Sequence, residues 1–184
     1  MNNDRRKIDD VNRLLELNYE ITPIKGVDVF HIIFRGPQSS FYKNGVWKIR
    51  VSLPANYPQS PPSITFLNQI YHPNIDALCG KVCLDVISNA WRSNYNLHNV
   101  FSHFLPSLLQ EPNATDPLNL KAADMFSSEP KEFQEMVTNY INHYATEAIV
   151  RQDYKSNDSD DEYMSDTDVN DAETSSATSD IENN

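Results

Sequence analysis

Cysteine is scarce in this chain, at two in 184 residues, too few for the disulfide framework that holds small secreted domains together. Two thiols are expected to stay reduced, which points to cytosol or nucleus. No apolar run approaches the roughly 18 residues that crossing a bilayer demands. The opening MNNDRRKIDD lacks the apolar stretch of a signal peptide, residue 2 is Asn where myristoylation needs Gly, and Asn183-Asn184 is no prenylation box. No membrane attachment is therefore expected. Five histidines occur, but none forms the H-E-x-x-H pair of a helical metal site. Clustered basic charge is missing too, which excludes a general nucleic-acid binder. There is no internal repeat.

Acidic charge is in excess, but unevenly. Residues 1–151 hold 14 Lys and Arg against 15 Asp and Glu, whereas residues 152–184 hold one Lys against 11 Asp and Glu. The latter stretch is Ser, Asp, Asn, Thr and Glu with almost nothing apolar. Ordering it would cost about 1–2 kcal/mol per residue of backbone entropy, with little burial in return. The expected organisation is a core over 1–150 and a disordered acidic tail over 151–184. Ser159, Ser165 and Ser179 each have an acidic residue three positions on, a pattern suited to an acidophilic kinase. Such a tail would clamp a basic partner surface or the Arg5-Arg6-Lys7 face. Simple solubilisation is the alternative.

The chain length allows one domain with a substantial core. Residues 4–18 have helical spacing at Ile8, Val11, Leu14 or Leu15 and Asn18, which leaves Arg5, Arg6, Lys7 and Arg13 outside the apolar stripe. Those basic residues form either a solvated face or a dock for an acidic partner. Strand-like runs follow at Ile21 to Lys25, Val29 to Arg35, Val46 to Leu53 and Ile64 to Leu67. The third sets Val46, Lys48, Arg50 and Ser52 on a wet face against Trp47, Ile49, Val51 and Leu53. Asn44-Gly45 reads as a hairpin turn. Sequential strands joined by short turns predict an antiparallel meander, and hence an α+β fold. Helical patterns resume at Val100 to Leu109, where Pro106 should bend the helix, at Lys121 to Phe126, and from Pro130 to about Ile149.

Chemistry concentrates in YHPNIDALCGKVCLD, residues 71–85, an irregular stretch with two thiols, one carboxamide and one imidazole. Cys83 by residue type is either a small buried hydrophobe, the commoner case for a cysteine, or a nucleophile. Cys79 and Cys83 lack the second cysteine pair of a zinc site. His72 is either a structural hydrogen-bonder or a base, and Asp85 and Asn113 suit local backbone bonding.

These pieces in this order resemble the catalytic core of a ubiquitin-conjugating enzyme: GPQSSFYKNGVW, YPQSPPSITF, His72-Pro73-Asn74, the G-x-V-C-L-D segment Gly80 to Asp85, Trp91, and EPNATDPLN. The resemblance spans residues 1 to about 150. FLPSLL and the acidic tail resemble the H type. It implies an N-terminal helix, a four-stranded antiparallel meander and C-terminal helices. It also implies that Cys83 receives ubiquitin as a thioester from an activating enzyme. Asn74 would stand at an oxyanion or loop-stabilising position, Asp116 would orient or deprotonate the incoming lysine, and Tyr71 and Leu118 would line its approach. Implied partners are ubiquitin, the activating enzyme, a ubiquitin ligase and protein substrates, with no metal or organic cofactor.

Two departures bear on the ligase. Gln59 stands where many relatives have an aromatic residue, and Trp91-Arg92-Ser93-Asn94 replaces a Ser-Pro-Ala stretch. Both exchange apolar contact for polar surface. The expected partner face therefore comprises Arg5, Arg6, Gln59 and Arg92, serving a restricted set of ligases. Thr115 is uncharged where several relatives carry an acid, which puts more weight on Asp116.

Overall fold

In the structure, a computed structural model describing residues 3–156, helix α1 (Asn3–Glu16) buries Lys7, Asp10, Val11 and Leu14. These positions follow i, i+3, i+4, i+7 spacing, so one face of the helix lies inward. Ile8 and Leu15, assigned to the apolar stripe from sequence, are instead exposed. Lys7 corrects the expectation of a solvated basic face. It is 4 % exposed and ion-paired with Asp28.

The sheet is a meander in the order β1 (Ile21–Lys25), β2 (Val29–Arg35), β3 (Val46–Ser52) and β4 (Ser63–Phe66), antiparallel throughout. Register is set by alternation: Phe30, Ile32, Phe34, Ile49, Val51, Ile64 and Phe66 face the core. The β2–β3 connection is not the tight hairpin that Asn44-Gly45 suggested. It is closed by Gly36 N–H donating to Gly45 O, and Asn44 takes a left-handed φ of 72° at its far end.

Against the inner face runs a composite helix: α3 (Leu97–Asn99), a π-helical segment (Val100–Phe104) and α4 (Leu105–Gln110). Asn96 and Asn99 cap its start reciprocally. Pro106 is not the mid-helix kink expected. The π segment bonds Leu105 N–H to Val100 O, and the proline then falls in the first turn of α4, where its missing donor costs little. A short helix absent from the sequence reading, α2 (Leu84–Ala90), precedes it.

Helices α5 (Leu120–Ser128) and α6 (Pro130–Tyr144) complete the core through Ala122, Phe133, Val137 and Ile141. The helix expected to continue to Ile149 breaks at Ala145. Asn68 Nδ2 donates to Tyr144 O at 2.8 Å and Val46 N–H to Ala145 O at 2.8 Å, so the sheet takes the carbonyls that would have bonded the next turn. Thr146 Oγ1 accepts from Ile149 N–H and starts α7 (Glu147–Ser156). Helix α7 crosses the outer face of the sheet, where Val150 packs on Ile33 and Val46. That contact explains why Val46 and Lys48, assigned to a wet face, are 6 % and 8 % exposed. It also carries ordered helix past residue 150. The acidic stretch with Ser159, Ser165 and Ser179 lies outside the described residues.

Candidate active site

Cys83 caps the N-terminus of α2, at the end of a strand-like segment bridged through Val82 to Ile75. Its N–H donates to Asn74 O at 3.0 Å and its carbonyl accepts from Ile87 N–H at 3.1 Å. The residue retains 7 % exposure, so the thiol is largely buried. Cys79 is the exposed cysteine of the pair. Among the described residues no three His, Cys, Asp or Glu side chains gather as metal ligands.

Asn74 joins the cysteine to a second loop. Its Oδ1 accepts from Asn113 N–H at 2.8 Å, and its Nδ2 donates to Asn113 O at 2.7 Å and, at a long 3.4 Å, to Asp116 O. Leu118 and Asn119 N–H both donate to Pro73 O at 2.9 Å. Segments 72–74 and 113–119 are thus laced along their length. Asn113 is a loop-shaper: its Oδ1 accepts from Thr115 N–H and Oγ1. Asp116 is exposed and its carboxylate has no hydrogen bond or ion pair among the described residues. The fold therefore brings Cys83, Asn74 and the Asp116 loop into one place.

His72 supports the site from beneath. It is fully buried, its Nδ1 accepts from Asn74 N–H at 2.9 Å, and Nε2 lies 3.0 Å from Leu108 O. Nδ1 can accept only if it is unprotonated, so Nε2 carries the hydrogen and donates to Leu108 O. Burial lowers its pKa to about 4, against a smaller opposing effect of the Leu108 carbonyl. It is a neutral structural link, the non-catalytic half of the two readings.

The resemblance set Tyr71 and Leu118 on a lysine path, and the two differ in exposure. Leu118 is 46 % exposed, but Tyr71 is 5 % exposed, with its ring against Phe133 and Tyr140. Tyr71 is a core residue. Asp85 falls in α2, and its side chain lies outside the described residues.

Gly80 shapes the turn between the two cysteines. It has a φ of +69°, and a Cβ there would meet Phe66 O at 2.0 Å, against backbone that cannot yield. Gly80→Ala is expected to cost about 2 kcal/mol of stability, read as a lowered urea midpoint. Asp76 Oδ1 braces the same turn by accepting from Cys79 and Leu78 N–H at 2.8 Å, and these bonds lower its pKa.

The expected partner residues are placed differently. Trp91 Nε1 donates to Pro58 O at 2.8 Å, which sets exposed Gln59 and Arg92 on one surface. Arg6 donates to Tyr95 O at 2.6 Å and pairs with Asp10, so it is committed within the fold, whereas Arg5 is exposed.

Comparison with known proteins agrees with this architecture. Residues 4–141 match the family model described as "Ubiquitin-conjugating enzyme". The chain is 43% identical over 164 residues to "Ubiquitin-conjugating enzyme E2-24 kDa" of Saccharomyces cerevisiae, covering 88% of this chain and 75% of that one. It is 42% identical over 170 residues to "Ubiquitin-conjugating enzyme E2 5" of Arabidopsis thaliana, covering 91% and 92%. The solved ubiquitin-conjugating E2 domain of a Toxoplasma gondii enzyme superposes with a TM-score of 0.69 at 22% identity, covering 78% of this chain and 99% of that one, which speaks to the fold alone. With a family match over residues 4–141 and relatives above 40% identical along most of both chains, the chain belongs to the ubiquitin-conjugating enzymes.

Proposed function

We propose that Cys83 is the thioester-forming residue, that Asn74 ties and polarises the site, that the Asp116 carboxylate positions the attacking amine, and that the enzyme is of the H type. The observation carrying this reading is the Asn74 bridge, which holds the cysteine segment through its main chain and the Asp116 loop through its side chain. In the first step the Cys83 sulfur attacks the thioester carbonyl that the activating enzyme presents, and that enzyme's thiol leaves. In the second, a lysine Nζ attacks the same carbonyl. Its N–C bond forms, the S–C bond breaks, the Cys83 thiolate leaves, and the amine proton passes to solvent, with Asp116 orienting the nitrogen.

A lysine amine has a pKa of about 10.4 and must shed its proton to attack. An exposed, unpaired carboxylate beside apolar Leu118 suits that task, since it can hydrogen-bond the nitrogen while Leu118 strips water. Negative charge grows on the carbonyl oxygen during attack. The Asn74 N–H that is loosely engaged at 3.4 Å is the donor with least to lose by turning to it. Gln59 and Arg92 present polar surface where apolar contact is usual, which supports a restricted set of ligases. The two free thiols support a cytoplasmic or nuclear location.

The test is incubation with activating enzyme, ATP and ubiquitin, with other ubiquitin-like modifiers and their own activating enzymes offered separately. A reductant-sensitive adduct should form with ubiquitin, persist in Cys79→Ala and vanish in Cys83→Ala. An adduct that survives in Cys83→Ala would overturn the assignment.

A further inference from the structure

The strand register lines up one set of side chains on the sheet's outer face. Thr22, His31, Arg50 and Thr65 form a continuous row across the four strands, and the bridge from Thr65 extends it to Lys81. Lys25, paired with Val29, sits one row away, and Lys48 and Arg35 lie on the same face opposite Ile33 and Val46. No acidic residue occupies any of these positions.

At one end of this face the charge is already matched: Arg35 and Arg151 share Glu20 and Glu147. At the other end Lys25, Arg50 and Lys81 are exposed and make no ion pair among the described residues. Neighbouring strands are about 4.8 Å apart, so Arg50 and Lys81 stand within about one Debye length of each other at physiological salt. Like charges so close repel, and an anionic ligand on this face would relieve them.

The chain supplies such a ligand. Helix α7 lies on the same face and ends at Ser156, and residues 157–184 then carry ten Asp and Glu with no Lys or Arg. A chain of that length spans roughly 30 Å on average, while a four-stranded sheet is only about 15 Å wide. The tether makes the encounter intramolecular, at an effective concentration of about millimolar. The N-terminal helix, the other basic stretch in the sequence, competes poorly, because Lys7 and Arg6 are spent on Asp28 and Asp10.

We propose that residues 157–184 dock in cis on the outer face of the sheet, along Lys25, Arg50 and Lys81. Lys81 lies two residues before Cys83, but the test reads carboxylate coupling and not thioester formation, so the proposal stands or falls independently of the catalytic reading. An external acidic ligand for the face would have to displace the segment first.

The full chain is treated with a carbodiimide, which joins a lysine amine directly to a carboxylate in ionic contact, and the monomer is isolated and mapped by mass spectrometry. Lys25 and Lys81 should couple to acids between Asp158 and Glu182 at least about fivefold more than exposed Lys121 and Lys131 do, and roughly 0.5 M NaCl should erase the difference. Arg50→Glu should lower coupling at Lys25 and Lys81, and, in case that variant folds poorly, Lys81→Glu should separately lower it at Lys25. Equal coupling at all four lysines, coupling confined to dimers, or a pattern indifferent to salt would each overturn the proposal.

Discussion

Asn74→Ala is expected to lose about 2–4 kcal/mol of stability and to slow discharge of the thioester to free lysine by about a hundredfold. Asn74 is fully buried, and its amide bonds both the N–H and the C=O of Asn113. Truncation removes the side-chain partner of both the Asn113 N–H and C=O, which are part-buried. It also releases the loop that carries Asp116. An oxyanion donor with no structural duty would, when removed, slow transfer and leave the urea midpoint unchanged. The hydrogen-bond pattern predicts that both fall together. Asn74→Asp should be worse than alanine, since it sets a carboxylate oxygen against the Asn113 and Asp116 carbonyls. Measuring the midpoint and single-turnover discharge on the same preparations separates the two duties.

His72 should give the fold a steep acid limb. Its folded pKa of about 4 lies below the ordinary value of 6.5, because the buried ring is held neutral. Below pH 6.5 the unfolded chain takes up a proton that the folded chain refuses, so stability falls as the pH falls. The loss starts near pH 6.5, deepens to about pH 4 and then levels off, reaching about 3 kcal/mol. Urea midpoints for wild type and His72→Gln should therefore converge between pH 7.5 and 4.5. The variant is weaker at neutral pH, having lost its fit between Asn74 and Leu108, but it lacks the imidazole's share of the slope. Parallel pH profiles for the two proteins would show that the histidine does not titrate with unfolding.

The sheet was legible in the sequence because its inward positions alternate large apolar residues over whole strands, as Trp47, Ile49 and Val51 do. The site was legible only where a residue's chemistry is rare: a thiol beside His72-Pro73-Asn74 stands out, and Asp116 follows from the loop it shares. The burial of Tyr71 was not legible, because an aromatic next to a motif looks the same whether it faces solvent or core. Helix α7 was missed because α6 ends for a tertiary reason, the capture of Tyr144 and Ala145 carbonyls by Asn68 and Val46. Periodicity within the helix holds no trace of that. The basic row Arg50–Lys81 is likewise invisible until register aligns residues 31 positions apart.

Tyr57 Oη donates to Asp10, Arg6 reaches Tyr95 O, and Trp91 reaches Pro58 O, so α1, the loop after β3 and the stretch after α2 are cross-braced. A visitor landing on any of the three meets a plate already set rather than parts that must assemble around it. Any binding there would be governed by fit and by how fast partners collide. Two partners favouring neighbouring parts of the plate would exclude one another by crowding, not by bending it.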